Sequence, residues 1–224
     1  MSTTTPIARM IRTAVHFLAG GLLVGAGLGV SRGLVADREP RDAGREANAE
    51  ISRLTSELTD AMGRLTVTEL KLDRLTAVAQ YSTAYRIPAN LAGRIYDAAL
   101  AEGLHPSLGF QLVKVESGFR SQARSSRNAL GYTQVRIKTA REIDSTISER
   151  DLLDPDTNLR IGFRILRRLL RQFDHDLDLA LRAYNLGPTG AVMSLMDSTA
   201  DARAAVYSGN VMKGVRRATS KGID

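Results

Sequence analysis

The 224-residue chain predicts a mostly α-helical protein with at most a small β element. Apolar residues recur at helical spacing in "PANLAGRIYDAALAEG", where Leu91, Ile95, Ala98 and Ala99 share a face, and in "NLRIGFRILRRLLRQF", where Leu159, Gly162, Phe163, Leu166, Leu170 and Phe173 do. Ahead of them lies a run spaced by sevens. Ile51, Leu58, Leu65, Leu72 and Ala79 occupy one heptad position, and Leu54, Ala61, Thr68 and Leu75 the position three later. Strand-like runs are scarce apart from "LGYTQV", which allows a small sheet beside Gly131. An apolar content of 43% suits a chain that buries a core.

The chain divides into three segments. Residues 1–42 contain an uncharged apolar run, interrupted only by His16, from Ala14 to Val30 behind Arg9 and Arg12. Its 17 residues suit a short transmembrane anchor or the core of a signal segment. The absence of a clear Ala-x-Ala site before Asp37 favours an uncleaved anchor. In either case the arginines stay on the cytoplasmic side and the remainder is exported. Residues 43–80 are expected to form a coiled-coil helix that dimerises the protein or spaces it from the membrane, or else a single helix docked on the C-terminal domain. Residues 81–224 read as a domain of short helices, with Gly103 ending one and Pro106 opening the next.

Composition removes several chemistries. Without cysteine there is no disulfide, thiolate site or cysteine nucleophile. His16, His105 and His175 are too scattered for a zinc cluster, so neither metal nor cofactor is expected. Of the net charge of +7, +6 lies from Tyr81 onward. A basic domain attracts polyanions. No aromatic platform is interleaved with Arg160, Arg164, Arg167, Arg168 and Arg171, so a nucleic-acid partner is not expected.

The candidate chemistry lies in "QLVKVESGFRSQARSSRNALGYTQV", where an apolar helix ends on Glu116 and Ser117. A carboxyl group there is partly desolvated, which raises its pKa and keeps a proton for a leaving group. Farther on, Gly131 has no side chain to block a ligand, and Gln134 carries an amide suited to sugar hydroxyls. "AYNLGP" then places Tyr184 and Asn185 before a Gly-Pro turn.

These residues resemble the lytic transglycosylases that carry a lysozyme-like catalytic domain. That family typically shows Glu-Ser-x-Phe, then Gly-Leu-Met-Gln with a following Pro-x-Thr-Ala, then Ala-Tyr-Asn-x-Gly-Pro. The counterparts here are "ESGF" from Glu116, "GYTQV" from Gly131, "KTA" from Lys138 and "AYNLGP" from Ala183, in the same order. The resemblance implies a lysozyme-like helical domain. It also implies cleavage of the bond between N-acetylmuramic acid and N-acetylglucosamine in peptidoglycan strands, with 1,6-anhydromuramoyl ends.

By that resemblance Glu116 is acid and base and Ser117 orients its carboxyl or the substrate acetamido group. Gln134 binds sugar, Tyr184 bonds near Glu116, and Asn185 lines the groove. The place implied is the bacterial envelope, with the domain on the periplasmic side of the inner membrane. The departures are Tyr132 and Thr133 for Leu-Met, and Arg136 and Ile137 for Met-Pro. Arg136 adds a cation near the expected groove. Glu142, Asp144 and Glu149 are expected to be solvated, although one of them folding back would supply a second carboxylate. A non-catalytic, membrane-anchored wall-binding scaffold is the competing reading.

Overall fold

A computed structural model describes residues 39–220, 222 and 223. The apolar run from Ala14 to Val30 lies outside the described residues. Among those described, no helix is long and apolar enough to cross a membrane.

The heptad run lies on one helix, α1 (Glu39–Tyr85). Residues 44–59 of it are exposed throughout, with Arg53 paired to Glu50 and Glu57 along the helix. The helix runs past residue 80, and its last turns change character. Ala77, Val78 and Tyr81 are buried, whereas Leu72, Leu75 and Ala79 remain exposed. Residues 77, 78 and 81 form one stripe at helical spacing, and the heptad positions occupy a different one. Within residues 60–224 the helix therefore docks on one face and leaves the heptad face to solvent. The docking is aromatic: the Tyr81 ring stacks on Phe110 at 4.0 Å between centroids.

Helices α2 (Ala89–Ala101) and α3 (Pro106–Ser117) come next. Gly103 takes a left-handed φ of +68° between them, and Pro106 opens α3 where its missing N–H costs nothing. A two-stranded antiparallel ribbon comes after them, β1 (Ala129–Leu130) with β2 (Val135–Arg136), pairing Ala129 with Arg136 and Leu130 with Val135. The strand-like run "LGYTQV" is thus mostly turn. Gly131 at φ +73° and Gln134 at φ +49° reverse the chain, and Asn158 Oδ1 pins the turn by accepting from Thr133 N at 2.8 Å.

Short helices α4 (Ile137–Arg141) and α5 (Glu149–Leu152) lead to α6 (Pro155–Gln172), then α7 (Leu177–Leu186), α8 (Pro188–Ser194) and α9 (Ser198–Thr219). Helix α6 is the spine of the core: Leu159, Ile161, Phe163, Ile165, Leu166 and Leu169 are all buried. Its Gly162 admits Thr133, whose Oγ1 would lie 2.2 Å from an added Cβ. Helix α9 is keyed to α7 by Arg182, 8% exposed in its side chain, which pairs with Asp178 at 2.6 Å and with Asp201. Buried Ser208 donates to the same Asp178, which fixes the register of α9.

Candidate active site

Helix α3 is buried from Pro106 to Val113, and Gly118 at φ +58° caps it. The cap leaves Glu116 on the wall of two cavities, of about 220 Å³ and 510 Å³. Desolvation pushes the Glu116 carboxyl up to about 7, while a hydrogen bond from the Tyr207 hydroxyl to Oε1 pulls the other way. Tyr207 is on α9, one residue before the Ser208 that locks the helix to α7. The fold thus delivers this phenol through a register set elsewhere. Both phenols near the acid, Tyr207 and Tyr184, are raised well above their ordinary range, first by burial and then by the charge of Glu116.

The other expected residues divide. Gln134 lines both cavities, and its Nε2 donates to Ala123 O at 3.1 Å and Gly131 O at 2.9 Å. With both amide protons used, it offers a ligand only the amide oxygen. Tyr184 and Asn185 line the smaller cavity, and the Tyr184 hydroxyl donates to Thr133 O at 2.8 Å, bracing the turn that carries Gln134.

Ser117 is not brought to the groove. It is 2% exposed, and its hydroxyl donates to Val113 O at 3.1 Å within its own helix. Gly131 also serves packing rather than ligand access, because an added Cβ would sit 2.2 Å from Asn158 Nδ2 and 2.9 Å from Leu152 O.

Of the residues that depart from the motif, Tyr132 and Thr133 are buried and Arg136 reaches the smaller cavity. The three acids that might have supplied a second carboxylate are engaged elsewhere: Glu142 with Arg168 at 2.9 Å, Glu149 with Arg124 at 3.0 Å, and Asp144 with Thr146. Glu116 is the one acid lining either cavity among the described residues. A further cavity of about 590 Å³, whose lining includes Tyr85, Gln111, Lys114, Lys213 and Arg217, holds no carboxylate among them and so lacks a proton donor of this kind.

The residue that sequence reasoning missed is Tyr207. Its stretch, "YSGNVMKGV", closes the resemblance but carries no role in sequence, because its partner is 91 positions away.

A helical domain with a small β ribbon, and one desolvated carboxyl at a helix end facing a groove, has a lysozyme-like architecture. Residues 94–207, half of the chain, match the transglycosylase SLT domain, and the chain belongs to that family. Among solved structures it is similar to an inactive mutant of the lytic transglycosylase Slt from Pseudomonas aeruginosa, with 27% identity and a TM-score of 0.52 over 58% of this chain and 24% of that one. It is also similar to a 70-kDa soluble lytic transglycosylase in complex with bulgecin A, with 20% identity and a TM-score of 0.50 over 60% of this chain and 27% of that one. The chain spans about a quarter of the length of these proteins.

Proposed function

We propose that this chain is a peptidoglycan lytic transglycosylase in which Glu116 acts as both acid and base. The observation that supports the reading is a single carboxyl, held near pKa 7 and without a second acid lining its cavities among the described residues. Near neutral pH a large share of Glu116 is protonated. It gives that proton to the glycosidic oxygen between N-acetylmuramic acid and N-acetylglucosamine as the C1–O bond breaks. The muramoyl 6-hydroxyl then attacks C1, the C1–O6 bond forms, and the hydroxyl proton passes to the Glu116 carboxylate, restoring the acid. Hydrolysis with two carboxylates would place a second one across the bond. Here the nucleophile belongs to the substrate, and positioning it supplies rate through effective concentration. The Gln134 amide oxygen and Asn185 are suited to hold the sugar from the groove walls. The Tyr207 hydrogen bond orients the acid and becomes stronger when Glu116 is ionised.

Mass spectrometry of a digest of purified sacculi tests this reading. Muramoyl ends lighter by one water, and unlabelled when the reaction runs in heavy-oxygen water, are expected. Reducing ends carrying the heavy oxygen would assign a hydrolase instead.

The heptad face supports a second part of the proposal, pairing of two copies through α1. Ile51, Leu54 and Leu58 are 51–61% exposed, and Leu65, Leu72 and Leu75 are 59–62% exposed. In a parallel pair, Arg64 of one copy meets Glu69 of the other at flanking heptad positions. Light scattering of the full chain should report a dimer, and Leu58→Glu with Leu65→Glu should yield a monomer. The segment Ala14–Val30 is read as an inner-membrane anchor holding the domain in the periplasm. Cell fractionation tests it, since full-length chain recovered without membranes would exclude the anchor.

A further inference from the structure

We propose that Arg127 and Arg136 form a carboxylate-binding site on the wall of the Glu116 cavity, and that it takes the peptide stem borne by the muramic acid being cleaved. The inference rests on the glycan-cleaving reading above. Both arginines line the same 220 Å³ cavity as Glu116. They start from constrained backbone on opposite sides of the ribbon turn. Ser125 Oγ accepts from Arg127 N at 3.2 Å and Ala129 N at 3.0 Å, and Arg136 is paired with Ala129 in the ribbon. Ala129, also lining the cavity, has a side chain too short to fill the space near them.

Neither guanidinium is ion-paired among the described residues. The sequence has no acid between Glu116 and Glu142, and several acids beyond that stretch are spent: Glu142 on Arg168, Glu149 on Arg124 and Asp156 on Arg94. Nor do the two arginines serve the catalytic acid. Burial and the Tyr207 hydrogen bond account for its shift, and neither arginine contributes to it. Two cations therefore face a cavity whose acid is largely neutral below pH 7, which favours an anionic ligand. In peptide-bearing strands the muramoyl lactyl carboxyl is tied up as an amide, so the glycan itself is uncharged. The carboxylates of peptidoglycan lie on the peptides attached to muramic acid, and the planar guanidinium fork matches a carboxylate through two parallel hydrogen bonds.

The test compares two substrates with the full chain: glycan strands bearing peptide stems, and the same strands with their stem carboxylates converted to neutral amides by carbodiimide coupling to excess methylamine. Wild type should prefer the strands with free stem carboxylates in kcat/KM by about tenfold or more, the scale of one charge-assisted contact. That preference should shrink as salt is raised, because both guanidiniums are exposed. The Arg127→Gln, Arg136→Gln double variant should bring the ratio to within about twofold, mainly through KM, with Arg136→Lys intermediate because it keeps charge but loses the fork. Equal losses on both substrates, or an unchanged ratio in the double variant, overturn the proposal. If wild type cleaves neither substrate, the reaction assignment fails. The stem site is then judged by co-sedimentation of the chain with each strand, where equal binding sinks it and a preference abolished by the double variant sustains it.

Discussion

Glu102 and Glu116 lie 14 residues apart at the ends of consecutive helices, the first buried and the second half-buried, and they meet opposite surroundings. Glu102 is 3% exposed and sits among cations. Its Oε1 accepts from Arg164 Nε at 3.0 Å and Nη2 at 2.8 Å, and Arg167 Nη2 stands 3.1 Å from Oε2 as an ion pair without hydrogen-bond alignment. That cluster ties the end of α2 to α6. Glu116 forms no ion pair among the described residues; a phenol donates to it and burial desolvates it. The difference lies in the partners that the fold brings to each carboxyl. Guanidiniums surround one carboxyl and tie two helices together, whereas the other is desolvated without an ion-pair partner and is pushed up to about 7.

The largest expected effect separates the two sites by function. Glu116→Gln keeps the shape and removes the transferable proton, so turnover should fall at least ~100-fold with the circular dichroism spectrum retained. Activity within tenfold of wild type would falsify the assignment of Glu116 as the acid. In the wild type, kcat should hold below the Glu116 pKa of about 7 and fall about tenfold per pH unit well above it, because the deprotonated acid cannot donate.

The same substitution sharpens the comparison through stability. The folded-state pKa of Glu116 is raised above the ordinary carboxyl value, so the folded protein binds the extra proton and loses stability as pH climbs from about 4.5 to about 7. Glutamine cannot ionise. Urea titrations should therefore find Glu116→Gln gaining on wild type between pH 5 and pH 8, by no more than about 3 kcal/mol. A constant difference across that range would mean that Glu116 is not desolvated as described.

Glu102→Gln should do the reverse. It leaves Arg164 and Arg167 facing a neutral group and should cost about 2 kcal/mol, less than a fully buried pair because the guanidiniums are 39% and 34% exposed. Turnover per folded molecule should stay within about twofold; a drop as large as that of Glu116→Gln would erase the distinction between the two sites.

The smallest effect is expected from Tyr207→Phe. Losing the hydrogen bond removes the one influence that lowers the Glu116 pKa, so the falling limb of the pH–rate profile should move to higher pH. The rate at pH 6 should fall by up to about tenfold, as orientation of the acid is lost. A limb that moves to lower pH would contradict the donor role of Tyr207.

How much of the site was legible depends on the kind of information each residue carries. Glu116, Gln134, Tyr184 and Asn185 stand in short motifs next to turns, and the fold brings all four to cavity walls. Ser117 and Gly131 belong to the same motifs but face inward, since a motif specifies residue type and spacing but not the direction of a side chain at a helix end. Among the departures, the sequence marks only Arg136 as a cation near the expected groove. Burial separates them: Thr133 fits against Gly162, Tyr132 is 9% exposed, and Arg136 lines the cavity.

The amino-acid sequence by itself determined the helical periodicities, the helix stop at Ser117–Gly118, the heptad face of α1, and the stretch from Glu116 to Glu142 that lacks an acid. Each of these is local, a matter of spacing along the chain or of backbone preference. Only the tertiary structure decided which glutamate is surrounded by guanidiniums and which is desolvated without them. That outcome depends on the cations and phenols that converge from distant elements: Arg164 and Arg167 from α6 on Glu102, and Tyr207 from α9 on Glu116. Desolvation and charge act through space over a few ångströms, and nothing in the order of residues near either acid encodes which distant side chains will arrive.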